Sequence, residues 1–454
     1  MTRYLPVGRS LRTVLFFLLA GAACVPARAA DPVVGADAAA GRLHSWDCRS
    51  GARLGEAALP GPLTAPLVVD AGGARVYAAA GAHLRVLSLP SLALEAGRQL
   101  ANPVTRLALG SGPGGVLLAA GSPATGGSTV GGSADGGSAV GGSAAGGSAT
   151  AGSAVAPPAS GARWTLTAHH PETLTPAFVW SLPVAGEVSA LLGIEARRRF
   201  VVGFAAHDEL WEIAWNPDAP AVLRGLVHDY RSGEAVPLPG RFTERAFKVP
   251  RPTRDLAAGG MPFEVLQVDR EGGAGIVNLD IRRRTEPVPI AAVRFITAWR
   301  SPQARGWLVF HDDGRITRVL APDARQQAWG RMSAAAIDAV SAPDGSGAIV
   351  LEGVGAGIGA GAGAGESGIG SASAGGRVRT VSALAGESAP GAAPAAAPAA
   401  APGAAPGAAV SGETAPGPVV AGAHRLALSV AGNCVAVLDS AGKWLASQVL
   451  HTAR

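Results

Sequence analysis

Apolar and polar residues alternate along most of this chain in short runs, and small or turn-forming residues separate the runs. Leu67 to Leu94 shows the unit. An apolar run is followed by an Ala-Gly-Gly turn and a second run over Arg75 to Ala79. A Gly-containing turn then leads to a stretch in which Leu84, Val86 and Ser88 alternate. A period of two bounded by Gly, Asp and Pro predicts short antiparallel strands. The same grammar returns over Arg106 to Ala119 with Arg163 to Leu182, Val188 to Ile213, Phe263 to Ile290, Ala292 to Leu320, Ala334 to Ala383 and His424 to Leu450. Arg42 to Leu59 supplies a half unit at the front. Repeated up-and-down sheets predict an all-β chain folded as a β-propeller of eight blades, with seven as the alternative count. No long amphipathic helical pattern occurs, so α/β architectures fit badly.

Three low-complexity tracts interrupt the pattern. Gly126 to Val155 is a GGSAV-like pentapeptide array, Val354 to Gly376 is Gly-Ala rich, and Glu387 to Val419 is Pro-Ala rich. Such segments bury too little apolar surface to offset their ordering entropy and are expected as disordered loop insertions. The first two fall between the second and third strands of their units, so both are expected over the same face. Passive expansion of a surface loop is the plainer reading of all three.

Length alone suggests two or three domains. The 64 glycines and 34 prolines, concentrated in the tracts, leave one core instead. The expected organisation is a signal peptide over 1–29 and a single propeller domain over 30–454. Net charge is only +5, and lysine occurs only at Lys248 and Lys443. The arginines are scattered, which fits a solvated exterior rather than a nucleic-acid surface.

Met1 to Arg12 carries three arginines, Thr13 to Val25 is apolar, and Ala27-Arg28-Ala29 fits a cleavage site before Ala30. The apolar run is short for a membrane span, and no later segment reaches that length, so no transmembrane span is expected in the mature chain. A periplasmic location is expected. Cys24 as a lipid-modified first residue is the alternative, though Gly21-Ala22-Ala23 fit that pattern poorly. Export leaves Cys48 in the first strand-like element and Cys434 in the last. In an oxidising compartment the two can close one disulfide that staples the ring, or remain two thiols.

The polar residues most able to carry chemistry lie between Glu209 and Ile290. Leu210, Trp211 and Ile213 form a strand that ends at Asn216-Pro217-Asp218. Val222 to Val227 is apolar again and runs into His228-Asp229-Tyr230-Arg231. Polar side chains at a strand end ring a propeller face and can bind a ligand. An internal network, with Asp229 orienting His228, is the bland reading.

These residues resemble one family: the propeller that carries haem d1 in cytochrome cd1 nitrite reductases and in related haem d1 cytochromes and assembly proteins. The resemblance lies in Leu210 to Ile213, Asn216-Pro217, Gly225 to Arg231, Gly233-Glu234 and Pro239-Gly240, then in Ile276 to Arg283, read as Ile-Val-Asn-Leu-Asp-Ile-Arg-Arg. It covers about Val188 to Leu320. It implies a propeller, haem d1 as the cofactor, and histidines on both sides of the iron. Relatives commonly follow Pro-Ile with Pro-His, where this chain reads Ala291-Ala292-Val293-Arg294. Gly61 to Pro66, where an iron-ligating histidine is expected, has none. His311, in Gly306 to Gly314, resembles the second distal histidine. The resemblance thus implies His311, His228 and Arg294 as candidate cofactor-binding residues, with His311 the one catalytic candidate and Arg294 a partner for a haem carboxylate. No Cys-x-x-Cys-His occurs, so no c-type haem is expected.

Other signals are weaker. His207-Asp208-Glu209 and His169-His170 are adjacent on strands, whose side chains alternate faces, so neither is expected to hold a metal. Gly355 to Ala360 matches a dinucleotide fingerprint only inside a Gly-Ala run. Arg282-Arg283-Arg284 reads as a solvated strand end. The expected function is a non-catalytic accessory or binding protein linked to nitrite respiration or haem d1 assembly, with nitrite-reductase or assembly proteins as partners. A working haem d1 carrier or assembly enzyme is the alternative, and a protein-interaction scaffold without haem is a third reading.

Overall fold

Alternating residues become strands because one set of side chains can be buried while the other stays at the surface. Arg75–Ala80 pairs with His83–Ser88, and Gly81, at a φ of 56°, makes the two-residue turn between them. The computed structural model describes residues 30–70, 72–123, 163–182, 186–224, 236–259, 261–300, 305–321, 323–332, 336–341, 347–353, 376–382, 419–420, 425–428, 434–438 and 443–449. No α-helix occurs among them, and the one helical element is the 3-10 turn Glu195–Arg197. Among them no helix is long and apolar enough to cross a membrane. Asp31–Arg454 form one compact unit.

The described strands form six four-stranded antiparallel sheets, two three-stranded sheets and one two-stranded hairpin. Sheet 1 pairs Pro32–Asp37, Arg42–Asp47 and Arg53–Ala58, and sheet 2 pairs Val68–Val69, Arg75–Ala80, His83–Ser88 and Leu94–Gln99. Sheet 3 is Val104–Gly110, Val116–Gly121, Thr165–His169 and Pro176–Ser181. Sheet 4 is Val188–Ile194, Arg199–Phe204, Glu209–Ala214 and Glu244–Lys248. Sheet 5 is Thr253–Ala258, Glu264–Asp269, Ala274–Asn278 and Arg283–Val288. Sheet 6 is Val293–Arg300, Arg305–His311, Arg315–Leu320 and Arg325–Arg331. Sheet 7 is Ala336–Ser341, Gly347–Gly353, Gly376–Ser382 and Val419–Val420, and sheet 8 is Arg425–Leu428, Cys434–Leu438 and Trp444–Val449. The first strand of each sheet from 2 to 7 packs on the first strand of the next, and that of sheet 8 packs on that of sheet 1. This is the β-propeller expected from the pattern.

The core lies between sheets. Trp180, Phe200, Phe204 and Trp215 fill the space between sheets 3 and 4. Val201, Leu210, Val265 and Val277 fill the space between sheets 4 and 5. Room for the indoles comes from glycine. A Cβ at Gly110 would stand 2.6 Å from Trp215, and one at Gly259 would collide with Trp307.

The first strands share a device that the sequence pattern did not reveal. Pairing slips at their second residue in sheets 3 to 7, between Val104 and Arg106, Val188 and Ala190, Thr253 and Asp255, Val293 and Phe295, and Ala336 and Asp338. Each slip is a β-bulge that bends the strand and frees backbone groups. The preceding sheet supplies partners. Arg106 Nε donates to Ser189 O at 3.0 Å, Ser189 Oγ to Thr253 O at 2.6 Å, and Arg254 Nη2 to Val293 O at 2.6 Å.

The ends of the chain meet without sharing a sheet. Among the described residues, sheets 1 and 8 stay separate. Cys48 and Cys434 join them through a disulfide with a Cα–Cα distance of 6.2 Å, and Val33 and Ala436 pack beside it. Two boundaries differ from the sequence pattern. Sheet 5 begins at Thr253, upstream of Phe263, because the Arg-Asp pair in its first strand hides the apolar alternation. Glu209–Ala214 is an interior strand of sheet 4, and the edge is Glu244–Lys248. Between them stands the hairpin of Val222–Arg224 with Val236–Leu238.

Because each sheet runs up and down in chain order, links between sheets and turns joining second to third strands emerge on one face, here the upper. Turns joining first to second and third to fourth strands emerge on the lower face. The ends that flank the first two tracts, Gly121 paired with Thr165 and Gly353 paired with Gly376, lie on the upper face. The tracts themselves and residues 1–29, with Cys24, lie outside the described residues.

Candidate functional site

Two of the sequence candidates meet on the upper face. Val293 and His311 are register partners in sheet 6, which places Arg294 and His311 at the same end of that sheet. His311 is 1% exposed. Its Nδ1 lies 2.9 Å from the Ala291 carbonyl and its Nε2 2.9 Å from Thr317 Oγ1. A carbonyl only accepts, so Nδ1 carries a proton, and the Thr317 hydroxyl, which can donate or accept, occupies Nε2. Arg294 is exposed, with Nη1 3.8 Å from Asp312 Oδ1. His228 lies outside the described residues.

An iron ligand must offer an imidazole lone pair, and a proton donor must point its N–H at the substrate. At His311 both nitrogens are engaged, one by the Ala291 carbonyl in the link that enters sheet 6 and one by Thr317 of its third strand. Arg294 suits a carboxylate, and Asp312 already stands beside it. The residues around His311 therefore do not fit a haem d1 held through this histidine. His169 is likewise buried, with Nδ1 donating to the Leu174 carbonyl at 3.0 Å, and burial lowers its pKa. Asp208 and Glu209 pair with Lys248 at 2.8 and 3.2 Å. No group of three or more metal-ligating side chains occurs among the described residues.

The two stretches that carry the family resemblance come together on the lower face. The third strand of sheet 4 brings Glu212, and the turn after Asn278 in sheet 5 brings Asp280 and Arg282. Strand parity puts Glu212 on the same side as Leu210, facing sheet 5. Its side chain is fully buried. Arg199 Nη1 lies 2.8 Å from Glu212 Oε1, Arg197 Nη2 3.3 Å from the same oxygen, and Arg282 Nε 3.5 Å from Oε2. Arg197 Nη1 also pairs with Asp280 Oδ1 at 2.6 Å. Arg245, the register partner of Glu212 in the edge strand, donates to the Pro220 carbonyl at 3.3 Å. Burial, with the Arg199 and Arg282 guanidiniums next, pushes Arg245 below its usual pKa.

Beside this cluster is a cavity of about 670 Å³, lined by Ala221, Val222, Leu223, Glu244, Arg245, Ala246 and Arg282. Sequence reasoning missed Arg197, Arg199, Glu212 and Arg245, which come from separate segments. The available signal was Glu212 itself, a carboxylate at an inward position of an apolar strand. The expectation of a solvated Arg282-Arg283-Arg284 is corrected at two positions. Arg282 reaches Glu212, and Arg284 folds back on the Ala274 carbonyl across Gly275, while Arg283 is exposed.

Comparison with known proteins supports the fold. No protein-family model and no curated protein matches this sequence. Among solved structures, the dihydro-haem d1 dehydrogenase NirN in complex with DHE is similar with a TM-score of 0.55 and 14% identity, covering 93% of this chain and 73% of that one. BamB from Moraxella catarrhalis matches with a TM-score of 0.40 and 11% identity over 71% of this chain and 89% of that one. The Neurospora crassa Pan2 WD40 domain matches with a TM-score of 0.43 and 11% identity over 70% and 86%.

Proposed function

We propose that this chain is an exported, non-catalytic propeller that serves as an accessory or binding protein, linked to nitrite respiration or haem d1 assembly. The observation that carries the non-catalytic reading is the double engagement of His311 by Ala291 and Thr317. A histidine held this way contributes to the sheet and offers neither an iron ligand nor a mobile proton. The link to the haem d1 apparatus rests on the motifs over Leu210 to Arg283, which is a warrant by resemblance. Partners in this reading are periplasmic nitrite-reductase or haem d1 assembly proteins.

The test is a visible absorption spectrum. The mature chain, from Ala30 onward, is produced in the periplasm of a host that makes haem d1. The expected product is colourless and takes up no stoichiometric haem d1 when the cofactor is added. A one-to-one tetrapyrrole spectrum that disappears in His311→Ala would overturn this reading in favour of a haem d1 carrier or assembly enzyme.

A further inference from the structure

Among the described residues, the cluster beneath sheets 4 and 5 holds more cations than carboxylates. Four guanidiniums, Arg197, Arg199, Arg245 and Arg282, face three carboxylates, Glu212, Asp280 and Glu244. Arg197 and Arg199 are satisfied by Glu212 and Asp280. Arg282 has, among the described residues, only its 3.5 Å approach to Glu212, through Nε, so its two outer nitrogens donate to none of them. Among the described residues, Arg245 has one hydrogen bond, to a backbone carbonyl. These two arginines, and no others of the cluster, line the cavity. Its volume falls in the range of small-molecule sites, which pair apolar walls with a few convergent polar groups.

We propose that this cavity is a binding site for a small organic monoanion, a carboxylate with a short apolar body. Its carboxylate sits between Arg245 and Arg282, where planar guanidiniums can donate in parallel pairs. Its apolar body lies along Ala221, Val222, Leu223 and Ala246. Leu223 is 66% exposed, so covering it removes apolar surface from water. Selectivity for one negative charge follows from the wall. Glu244 lines the same cavity and is itself engaged, and it opposes a second negative charge. The site lies on the lower face, opposite the end of sheet 6 that holds His311 and Arg294, and does not depend on any haem chemistry.

The test uses the mature chain and hexanoate as the probe, read by isothermal titration calorimetry. Hexanoate is expected to bind with one-to-one stoichiometry, while hexylammonium and hexanol do not. Arg245→Gln is expected to weaken hexanoate by about tenfold, the scale of one charge-assisted hydrogen bond. Arg282→Gln can disturb the Glu212 cluster, so a second variant is needed. Leu223→Asp sits on the exposed wall, leaves the melting temperature unchanged and is expected to abolish binding. Hexanoate that does not bind the wild type at millimolar concentration overturns the proposal. Binding that survives both Arg245→Gln and Leu223→Asp, or that hexanol matches, also overturns it.

Discussion

His311 in sheet 6 and Glu212 in sheet 4 are both buried polar residues in strands of a propeller, and they are satisfied in opposite ways. His311 meets two neutral partners, one per ring nitrogen, in the third strand of its sheet and in the link that enters it. Its hydrogen-bonding capacity is filled. Glu212 meets three arginines, two from sheet 4 and one from the sheet 5 turn, and leaves positive charge over at the rim of a cavity. A residue that looks chemical in the sequence is held at both ring nitrogens, and charge gathers around one that looks like a strand interruption. Buried charge must be paired, so a carboxylate collects cations from distant segments. A neutral imidazole needs only one donor and one acceptor.

The comparison can be broken most forcefully at Glu212. Glu212→Gln leaves partly buried guanidiniums without their shared carboxylate and should cost up to about 3–5 kcal/mol in urea unfolding. A loss under 1 kcal/mol, on the order of an exposed ion pair, would mean that the cluster is solvated. The ring closure supplies a reference that involves neither residue. Cys48→Ser with Cys434→Ser removes a link between sheets 1 and 8 and should cost about 2–5 kcal/mol without altering either site. His311→Leu should cost about 1–3 kcal/mol, since the Ala291 carbonyl and the Thr317 hydroxyl lose their partner. Thr317→Val sharpens this: if the two groups act as one network, the double variant costs less than the sum of the single ones.

The smallest effect is one of pH. His169 is buried, burial lowers its pKa, and its Nε2 has no hydrogen-bond partner among the described residues. Its unfolded value is near 6.5, so on acidification the unfolded chain takes up this proton before the folded one. The stability tied to neutral His169 is thus fully present above about pH 6.5 and falls as pH drops toward the lowered folded value. His169→Gln keeps an N–H for the Leu174 carbonyl and should reduce the loss of melting temperature between neutral pH and mild acid. Identical pH profiles for the two proteins would remove His169 from the account.

The fold was legible because alternation, turn glycines and repeat spacing all mark the same strands. Arg75–Ala80 and His83–Ser88 lie where the pattern put them, and the first two tracts interrupt their sheets between equivalent strands. The first strand of sheet 5 was hidden because its bulge places Arg254 and Asp255 in an otherwise apolar run. His311 was legible as a residue and illegible in its role, since Thr317 and Ala291 look ordinary in a sequence. The lower cluster was illegible as a group because Arg197, Glu212, Arg245 and Arg282 are brought together only by the pairing of strands and the packing of two sheets. Its one local sign was the parity of Glu212 with Leu210.

The contrast between a filled histidine and an open arginine cluster is tested most directly by long-range 15N NMR of the His311 ring during addition of haem d1. The expected result is a ring protonated at Nδ1 whose signals neither shift nor broaden as cofactor is added. A ring that shows the other tautomer, or that broadens in proportion to added haem d1, would contradict it and place the iron at His311.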